Sequence, residues 1–231
     1  MKTFKALSLL LTYPTPDLQA AVPAITDVLR AEGLLSPKRI EALAPLLKKL
    51  ATLDIYDLQE RYVLLFDRSR TLSLNLFEHI HGESRDRGGA MVDLLEMYRA
   101  GGFDLGSTEL PDHLPVLLEY LSTRPLAEAQ EVLQGAGHIL IALGERLLRR
   151  ETAYAAVLEA LVALAEADPA TEEVETLLAV KDDDPEDLAA LDAVWSEAQV
   201  TFGPDPNAGC PVSRDLLARM DPAAPPARAA S

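Results

Sequence analysis

The 231-residue chain contains very little cysteine and few aromatic residues. Its one cysteine, Cys210, excludes an internal disulfide framework and an all-cysteine zinc site within one chain. Aromatic residues make up 5% of the sequence, and the helix-forming residues leucine and alanine are abundant instead. The sequence has no run of about 20 apolar residues that would predict a membrane-spanning helix. We therefore expect a soluble protein in a reducing compartment, the cytoplasm.

The N-terminal residues, MKTFKALSLLLTYPTPD, combine two lysines with a short apolar run, as a secretion signal does. No small-residue cleavage site follows, however, and Phe4, Leu7 and Leu10 recur at helical spacing. We therefore predict a first amphipathic helix here.

Basic residues are scarce relative to acidic ones, with 21 Lys and Arg against 37 Asp and Glu and a net charge of −16. Most of the imbalance lies after residue 150, where 17 acidic and 4 basic residues give a net charge of −13. Nucleic acid is a poor partner for such a chain, because affinity for it comes from cationic contacts to phosphates. The acidic surface either attracts a basic partner by electrostatic steering or only keeps the protein in solution.

Apolar residues recur at helical spacing almost throughout the chain, and no stretch alternates strictly enough to predict a strand. Ser36 followed by Pro37 predicts a helix start. A last helix is predicted through Leu188, Leu191 and Trp195. Other helices are predicted over residues 37–50, 53–66, 91–98, 114–121, 138–148 and 154–166. The fold class is therefore all-α.

The domain organisation follows from where the helical pattern stops. From residue 203 the chain is rich in Pro, Ala and Gly and lacks a sustained apolar face. We predict a single helical-bundle domain over residues 1–202 and a flexible, disordered tail over residues 203–231.

The segment LFEHIHGESRDRGGAMVDL contains the densest group of chemically active side chains. His79, His81 and Glu83 are residue types that bind zinc or iron. Residues two apart on a helix, however, point about 200° from each other, so the two histidines do not share a helical face. The sequence contains no second cluster that would complete a closed metal site. A helix end or a recognition surface is the alternative.

Two arginines in the same segment lie next to a glycine pair. Arg85 and Arg87 could hold an anion there, although the pattern is neither a phosphate loop nor a dinucleotide fingerprint. The alternative is local: Ser84 or Asp86 caps the following helix, and the arginines pair with nearby carboxylates.

A third segment, ELPDHLPVLLEYL, begins at Glu109. We predict Asp112 as the N-cap of a helix with Pro115 in its first turn, where a missing N–H costs nothing. Asp112 and His113 could form a general-base pair, but no nucleophile is adjacent in sequence. A helix start explains Asp112 and Pro115, whereas it does not explain Glu109, His113 and Glu119.

Two runs of the sequence resemble a known family: YDLQERYVLLFDRSRTLSLNLFEHIHGESRDRGGAMVDLLEMYRAGGFDL and ELPDHLPVLLEYLS. They are similar to the NarJ-type assembly chaperones of respiratory nitrate reductase, also called its delta subunit, within the TorD-like group of redox-enzyme maturation chaperones. The resemblance extends from LLTYPTPDL to about residue 150, and LFEHIHGESRDRG is specific to the nitrate reductase branch. Glu109, Asp112, His113 and Glu119 match the broader chaperone motif.

The resemblance implies an all-helical bundle of the TorD-like type that is not an enzyme and has no cofactor of its own. Its partner would be the catalytic (alpha) subunit of nitrate reductase, bound through its N-terminal segment. The chaperone would keep the apoenzyme competent for molybdenum cofactor insertion and prevent premature membrane docking. We expect a monomer, with a helix-exchanged dimer as the alternative. The candidate peptide-binding residues are Phe66, Leu74, Phe77, Glu78, His79, Arg85, Asp86, Arg87, Glu109, Asp112, His113, Glu119 and Tyr120.

Two functions of other classes remain as alternatives. One is a metal-dependent enzyme that uses His79, His81 and Glu83. The other is a helical adaptor that binds a different protein or a nucleotide through Arg85 and Arg87.

Overall fold

A computed structural model describes residues 1–81, 85–106 and 109–183, without the side chains of His81 and Arg85. The last predicted helix, the predicted tail with Cys210 and the predicted domain boundary after residue 202 all lie outside these residues. Within them, no helix has both the length and the apolar character that crossing a membrane would require.

The described part of the chain is all-α, which confirms the predicted fold class. A π-helical turn, Val63–Asp67, extends the fourth helix, and a 3-10 turn, Arg70–Leu72, follows it. In place of strands, these residues form one isolated antiparallel bridge between Asn75 and His113. The α-helices are α1 (Lys2–Leu10), α2 (Pro16–Glu32), α3 (Pro37–Thr52), α4 (Ile55–Tyr62), α5 (Leu76–His81), α6 (Arg85–Ala100), α7 (Leu114–Ser122), α8 (Leu126–Gly135), α9 (Gly137–Arg149), α10 (Ala155–Ala165) and α11 (Glu172–Ala179).

The helix starts follow from local capping chemistry. The Ser36 hydroxyl accepts a hydrogen bond from the Arg39 N–H at 3.4 Å, and Pro37 occupies the first turn, as predicted. Thr15 caps α2 in the same way through the Leu18 N–H at 3.2 Å.

The core is built mainly from α1 against α7 and α9 against α10. Leu7 and Leu10 of α1 and Leu118 of α7 are fully buried. Helix α9 is buried nearly all round, as its apolar sequence predicts, and Leu140 has no exposed surface. Burying one leucine contributes about 1.5–3 kcal/mol to the free energy of folding. The buried leucines between α1 and α7 therefore hold these two helices side by side.

The predicted N-cap of α7 is wrong. The N-cap is His113, and the Asp112 carboxylate instead accepts a hydrogen bond from the Phe77 N–H at 3.0 Å. The reason is tertiary: the first N–H of α7, on Leu114, donates to the Leu74 carbonyl at 2.8 Å. The segment before α5 therefore supplies the acceptor for the first N–H of α7, the Leu74 carbonyl. The Asp112 carboxylate accepts from the Phe77 N–H of α5 instead of capping α7.

Gly101, just after α6, packs directly against the buried Tyr120 ring. A Cβ at this position would lie 2.7 Å from Tyr120 Cε2 and 2.8 Å from its hydroxyl. The ring is 2% exposed and packs against Tyr98 and Phe103, with centroid distances of 4.8 and 5.8 Å. We expect Gly101→Ala to lower the free energy of unfolding, measured in urea, by about 1–3 kcal/mol because the ring cannot move aside.

The matched control is Gly88→Ala, within α6, where a Cβ meets nothing within 4 Å. This change is expected to raise stability by about 0.5–1 kcal/mol through helix propensity. Equal effects of the two substitutions would contradict the close approach of Gly101 to Tyr120.

Candidate functional site

The backbone bridge places two of the three sequence motifs side by side. The Leu76 N–H donates to the Asp112 carbonyl at 3.0 Å, and the Leu114 N–H donates to the Leu74 carbonyl at 2.8 Å. The segment that leads into α5 therefore runs antiparallel to the residues that lead into α7.

The Asp112 carboxylate is fully buried at this junction. Its Oδ2 accepts the Phe77 N–H and lies 3.9 Å from Arg87 Nη2, which also lies 3.3 Å from Glu78 Oε1. Asp112 Oδ1 has no hydrogen-bond partner within the described structure. Burial raises the pKa of Asp112, while the Phe77 N–H and the Arg87 charge act in the opposite direction. Arg87 and Asp112 thus connect α5, α6 and the start of α7.

The His79 side chain also contacts the neighbouring backbone. Its Nε2 lies 2.8 Å from the Ser73 carbonyl oxygen, and burial lowers its pKa. It faces a separate surface pocket together with Ile80 and His138. Glu83 and the His81 side chain lie outside the described structure, and the residues that are described contain no group of three or more potential metal ligands.

A cleft with a volume of about 560 Å³ lies between α1, α7 and the end of α4. It contains three of the candidate residues, Glu109, His113 and Glu119, together with apolar lining residues. The other lining residues are Lys5, Ser8, Leu9, Thr12, Tyr13, Thr15, Tyr62, Asp67, Pro115 and Val116. We refer to these thirteen residues as the acidic cleft, because three carboxylates and one lysine line it.

The charges of the acidic cleft are unevenly paired. Lys5 Nζ forms an ion pair with Glu119 Oε1. Glu109 Oε2 lies 3.6 Å from His113 Nδ1. Burial lowers the pKa of His113, although Glu109 acts in the opposite direction, so the neutral imidazole predominates at pH 7. Partial burial and then the charge of Glu109 raise the pKa of Asp67. The cleft is therefore net negative.

Apart from Arg85, whose side chain is not among those described, the remaining candidate residues do not line the cleft. Three of them, Phe66, Leu74 and Tyr120, are buried in the core. Phe77 and Glu78 are half-buried in the junction described above, where Arg87 is paired with Glu78 and lies near Asp112. Asp86 is exposed in the first turn of α6, so it is not the cap of that helix, and the alternative cap, Ser84, lies outside the described residues.

Sequence reasoning missed Lys5, Tyr13, Tyr62 and Asp67 as cleft residues. Asp67 directly follows the candidate residue Phe66, but it belongs to no sequence motif that would indicate a binding site. Lys5 lies on the same face of α1 as Ser8 and Leu9, at i, i+3 and i+4, which was the available signal. That signal does not identify α7 as the opposite wall.

The model of the family described as "Nitrate reductase delta subunit" matches residues 17–160, more than half of the chain. The chain belongs to this family. The resemblance identified from the sequence motifs is therefore confirmed, and the delta-subunit match includes Asp67, Asp112 and the whole of α7.

Individual delta-subunit relatives match over most of the chain. It is 44% identical over 205 residues to the nitrate reductase molybdenum cofactor assembly chaperone NarJ of Escherichia coli K12, covering 88% of this chain and 86% of that protein. It is 39% identical over 210 residues to the probable nitrate reductase molybdenum cofactor assembly chaperone NarW of the same organism, covering 91% and 87%. For the probable NarJ chaperone of Bacillus subtilis 168, identity is 30% over 173 residues, covering 75% and 93%.

Proposed function

We propose that this protein is an assembly chaperone of nitrate reductase that binds the N-terminal segment of the apo catalytic subunit in the acidic cleft. Binding there would keep the subunit competent for molybdenum cofactor insertion and would delay its docking at the membrane. The chaperone acts as a monomer in the cytoplasm, where the apoenzyme is made, and performs no catalysis. Membership of the delta-subunit family and the similarity to NarJ and NarW support this assignment.

The acidic cleft is the observation that carries the proposal. Its apolar lining residues are Leu9, Pro115 and Val116, while Asp67, Glu109 and Glu119 supply negative charge. An amphipathic peptide with basic residues would bury its apolar side chains against the apolar lining and place its cations near the carboxylates. The volume of about 560 Å³ is enough for several side chains.

The junction around Asp112 has a supporting role in this proposal. Asp112 and Arg87 fix the bridge from which Glu109 and His113 extend toward the cleft. We therefore treat Phe77, Glu78, Arg87 and Asp112 as residues that position the binding surface.

The test is calorimetric titration of the purified chain with a synthetic peptide from the N-terminus of the nitrate reductase catalytic subunit encoded in the same genome. We expect saturable binding with one peptide per chain. Glu109→Lys reverses a charge on a side chain that is 58% exposed, so the fold tolerates it, and affinity is expected to fall roughly ten-fold. Glu131→Lys, at an exposed position of α8, is the control and should leave affinity unchanged.

Absence of binding to the unaltered chain would contradict the proposed function. Equal effects of Glu109→Lys and Glu131→Lys would retain the function but remove the acidic cleft as its site.

A further inference from the structure

A second cavity, with a volume of about 250 Å³, lies between α3, the end of α4 with its π-helical turn, and the residues that join α9 to α10. We call it the leucine cavity, after the five leucines that line it: Leu46, Leu53, Leu58, Leu64 and Leu65. Among the described residues, none lines both this cavity and the acidic cleft. The proposed peptide site therefore leaves the leucine cavity without a function.

The Tyr154 side chain lines the leucine cavity, and its hydroxyl has no hydrogen-bond partner within the described structure. The residue is 6% exposed, and its ring packs edge-on against Phe66 at a centroid distance of 5.2 Å. Burial raises the pKa of its hydroxyl to about 12, so this group is a neutral donor at pH 7. The buried hydroxyls of Tyr62 and Tyr98, in contrast, donate to main-chain carbonyls at 2.9 and 2.7 Å. Because buried polar groups are nearly always paired, the unused donor of Tyr154 indicates an acceptor on a ligand.

Three cationic side chains and one carboxylate line the same cavity. Lys49 on α3 and Arg61 on α4 form no ion pair with any described residue. Arg150 Nη2 is paired with the acidic residues after α11 at 2.9 and 3.0 Å, whereas its buried Nη1 has no hydrogen-bond partner in the described part of the chain. The carboxylate is that of Glu151. The lining therefore carries a net positive charge in a chain whose net charge is −16.

We propose that the leucine cavity is a binding site for a small organic carboxylate with an apolar body. The carboxylate accepts a hydrogen bond from the Tyr154 hydroxyl and faces the charges of Lys49 and Arg61. The apolar body packs against the leucines and is removed from water there. This site goes beyond the proposed function, because the peptide of the catalytic subunit binds elsewhere, in the acidic cleft.

The composition of the lining selects this class of ligand over a bare anion or a neutral molecule. Inorganic phosphate offers no apolar surface to the leucines and loses hydration on entering a largely apolar cavity. A neutral apolar molecule contacts the leucines but leaves the Tyr154 hydroxyl without an acceptor. A carboxylate with an aromatic or branched body meets both requirements. Since a cavity of about 150 Å³ holds benzene, a cavity of about 250 Å³ also has room for the carboxylate and a short linker.

The backbone at the leucine cavity supports a functional role. Leu64 and Leu65 belong to the π-helical turn Val63–Asp67, where the Arg68 N–H donates to the Val63 carbonyl at 2.9 Å, five residues back. A π-helical turn is rare, and such turns occur frequently at functional sites. Here the turn brings two adjacent leucines into the lining of one cavity.

The experiment titrates two acids, 3-phenylpropanoate and 4-methylpentanoate, into the full chain at pH 7 and follows binding by calorimetry. We expect at least one of them to bind saturably, with one molecule per chain. The neutral amide of that acid should bind at least roughly ten-fold more weakly, because it lacks the charge that the cations attract. Inorganic phosphate should show no saturable binding. Absence of saturable binding by both acids, or equal affinity for the acid and its amide, would overturn the site.

Two pairs of variants locate the bound acid. Tyr154→Phe should weaken its binding roughly ten-fold, whereas Tyr56→Phe, at a position on α4 that is 76% exposed, should have no effect. Lys49→Met should weaken binding roughly three-fold, whereas the same substitution at the exposed neighbour Lys48, which does not line the cavity, should leave it unchanged.

A stability measurement separates a ligand contact from a structural role of the Tyr154 hydroxyl. Because this hydroxyl has no partner among the described residues, Tyr154→Phe should not lower the urea midpoint. Tyr98→Phe removes a hydrogen bond to the Pro111 carbonyl and should lower it. Unchanged affinity of Tyr154→Phe for the acid, or equal effects of the substitutions at Lys49 and Lys48, would place the acid elsewhere on the chain and overturn the proposal.

Discussion

Replacing Arg146 by methionine is expected to lower the free energy of unfolding by about 2–6 kcal/mol. Arg146, on α9, is 2% exposed, and burial lowers its pKa. Its Nη1 donates to the Thr71 carbonyl at 2.9 Å and its Nη2 to the Leu177 carbonyl at 2.6 Å. Methionine fills a similar volume but leaves both carbonyls without a donor, and each unpaired buried polar group costs about 1–3 kcal/mol.

The loss of local protection in Arg146→Met should be greatest in the distant parts of the chain that Arg146 connects. Together with Arg150, it links the turn at Ser69–Thr71 to the acidic residues after α11. Arg150 Nη2 lies 2.9 Å from Asp182 Oδ1 and 3.0 Å from Asp183 Oδ1. Since Arg146 fixes the position of Leu177, just before this acidic pair, we expect amide hydrogen exchange in residues 174–183 to accelerate first in Arg146→Met.

The measurement is urea unfolding with the same substitution at Arg149 as the control. Arg149 is on the same helix but exposed, so Arg149→Met should change stability by less than about 0.5 kcal/mol. Similar losses for the two variants would mean that the main-chain contacts of Arg146 do not contribute to stability. Hydrogen exchange that accelerated uniformly would argue against the specific link to residues 174–183.

Much of the fold could be predicted from the sequence, because apolar spacing directly reflects which face of a helix is buried. Helix α2 has the same spacing, with Leu18, Val22, Ile25 and Leu29 buried on one face, and this pattern is sufficient to predict it. Helices α8 and α11 have a weaker apolar pattern, because few of their residues are buried. In α11 the only buried residue is Val174, so the apolar stripe is too thin to indicate a helix.

The acidic cleft could be predicted only in part. Glu109, His113 and Glu119 stood out because a helix start did not explain them, and all three line the cleft. Asp67 and Lys5 reach the same cleft from the π-helical turn and from α1, and no sequence spacing relates either of them to α7. The error at Asp112 has the same origin, because local capping rules do not include a competing N–H from a segment 35 residues away.

Asp112→Ala is expected to destabilise the protein by about 3–5 kcal/mol and to weaken peptide binding as well. The alanine leaves the Phe77 N–H and part of the Arg87 guanidinium without the carboxylate that they now face. The bridge between the segments before α5 and α7 then loses its side-chain support, and Glu109 and His113 lose their fixed positions. Asp112→Asn keeps an acceptor for the Phe77 N–H, so its loss at pH 7 should be less than half that of alanine.

The pH dependence of these two variants separates the hydrogen bond from the charge. Burial raises the pKa of Asp112 in the folded state above its unfolded value of about 3.9, so the folded protein binds this proton more tightly than the unfolded chain does. The contribution of Asp112 to stability therefore decreases as the pH rises from about 4 through its folded pKa.

Asparagine does not titrate, and the stability of the original protein relative to Asp112→Asn should be greater at pH 4 than at pH 7. Urea unfolding at both pH values measures this difference. An opposite trend would mean that Arg87 and the Phe77 N–H stabilise the ionised carboxylate more than burial destabilises it. The negative charge of Asp112 would then stabilise the junction.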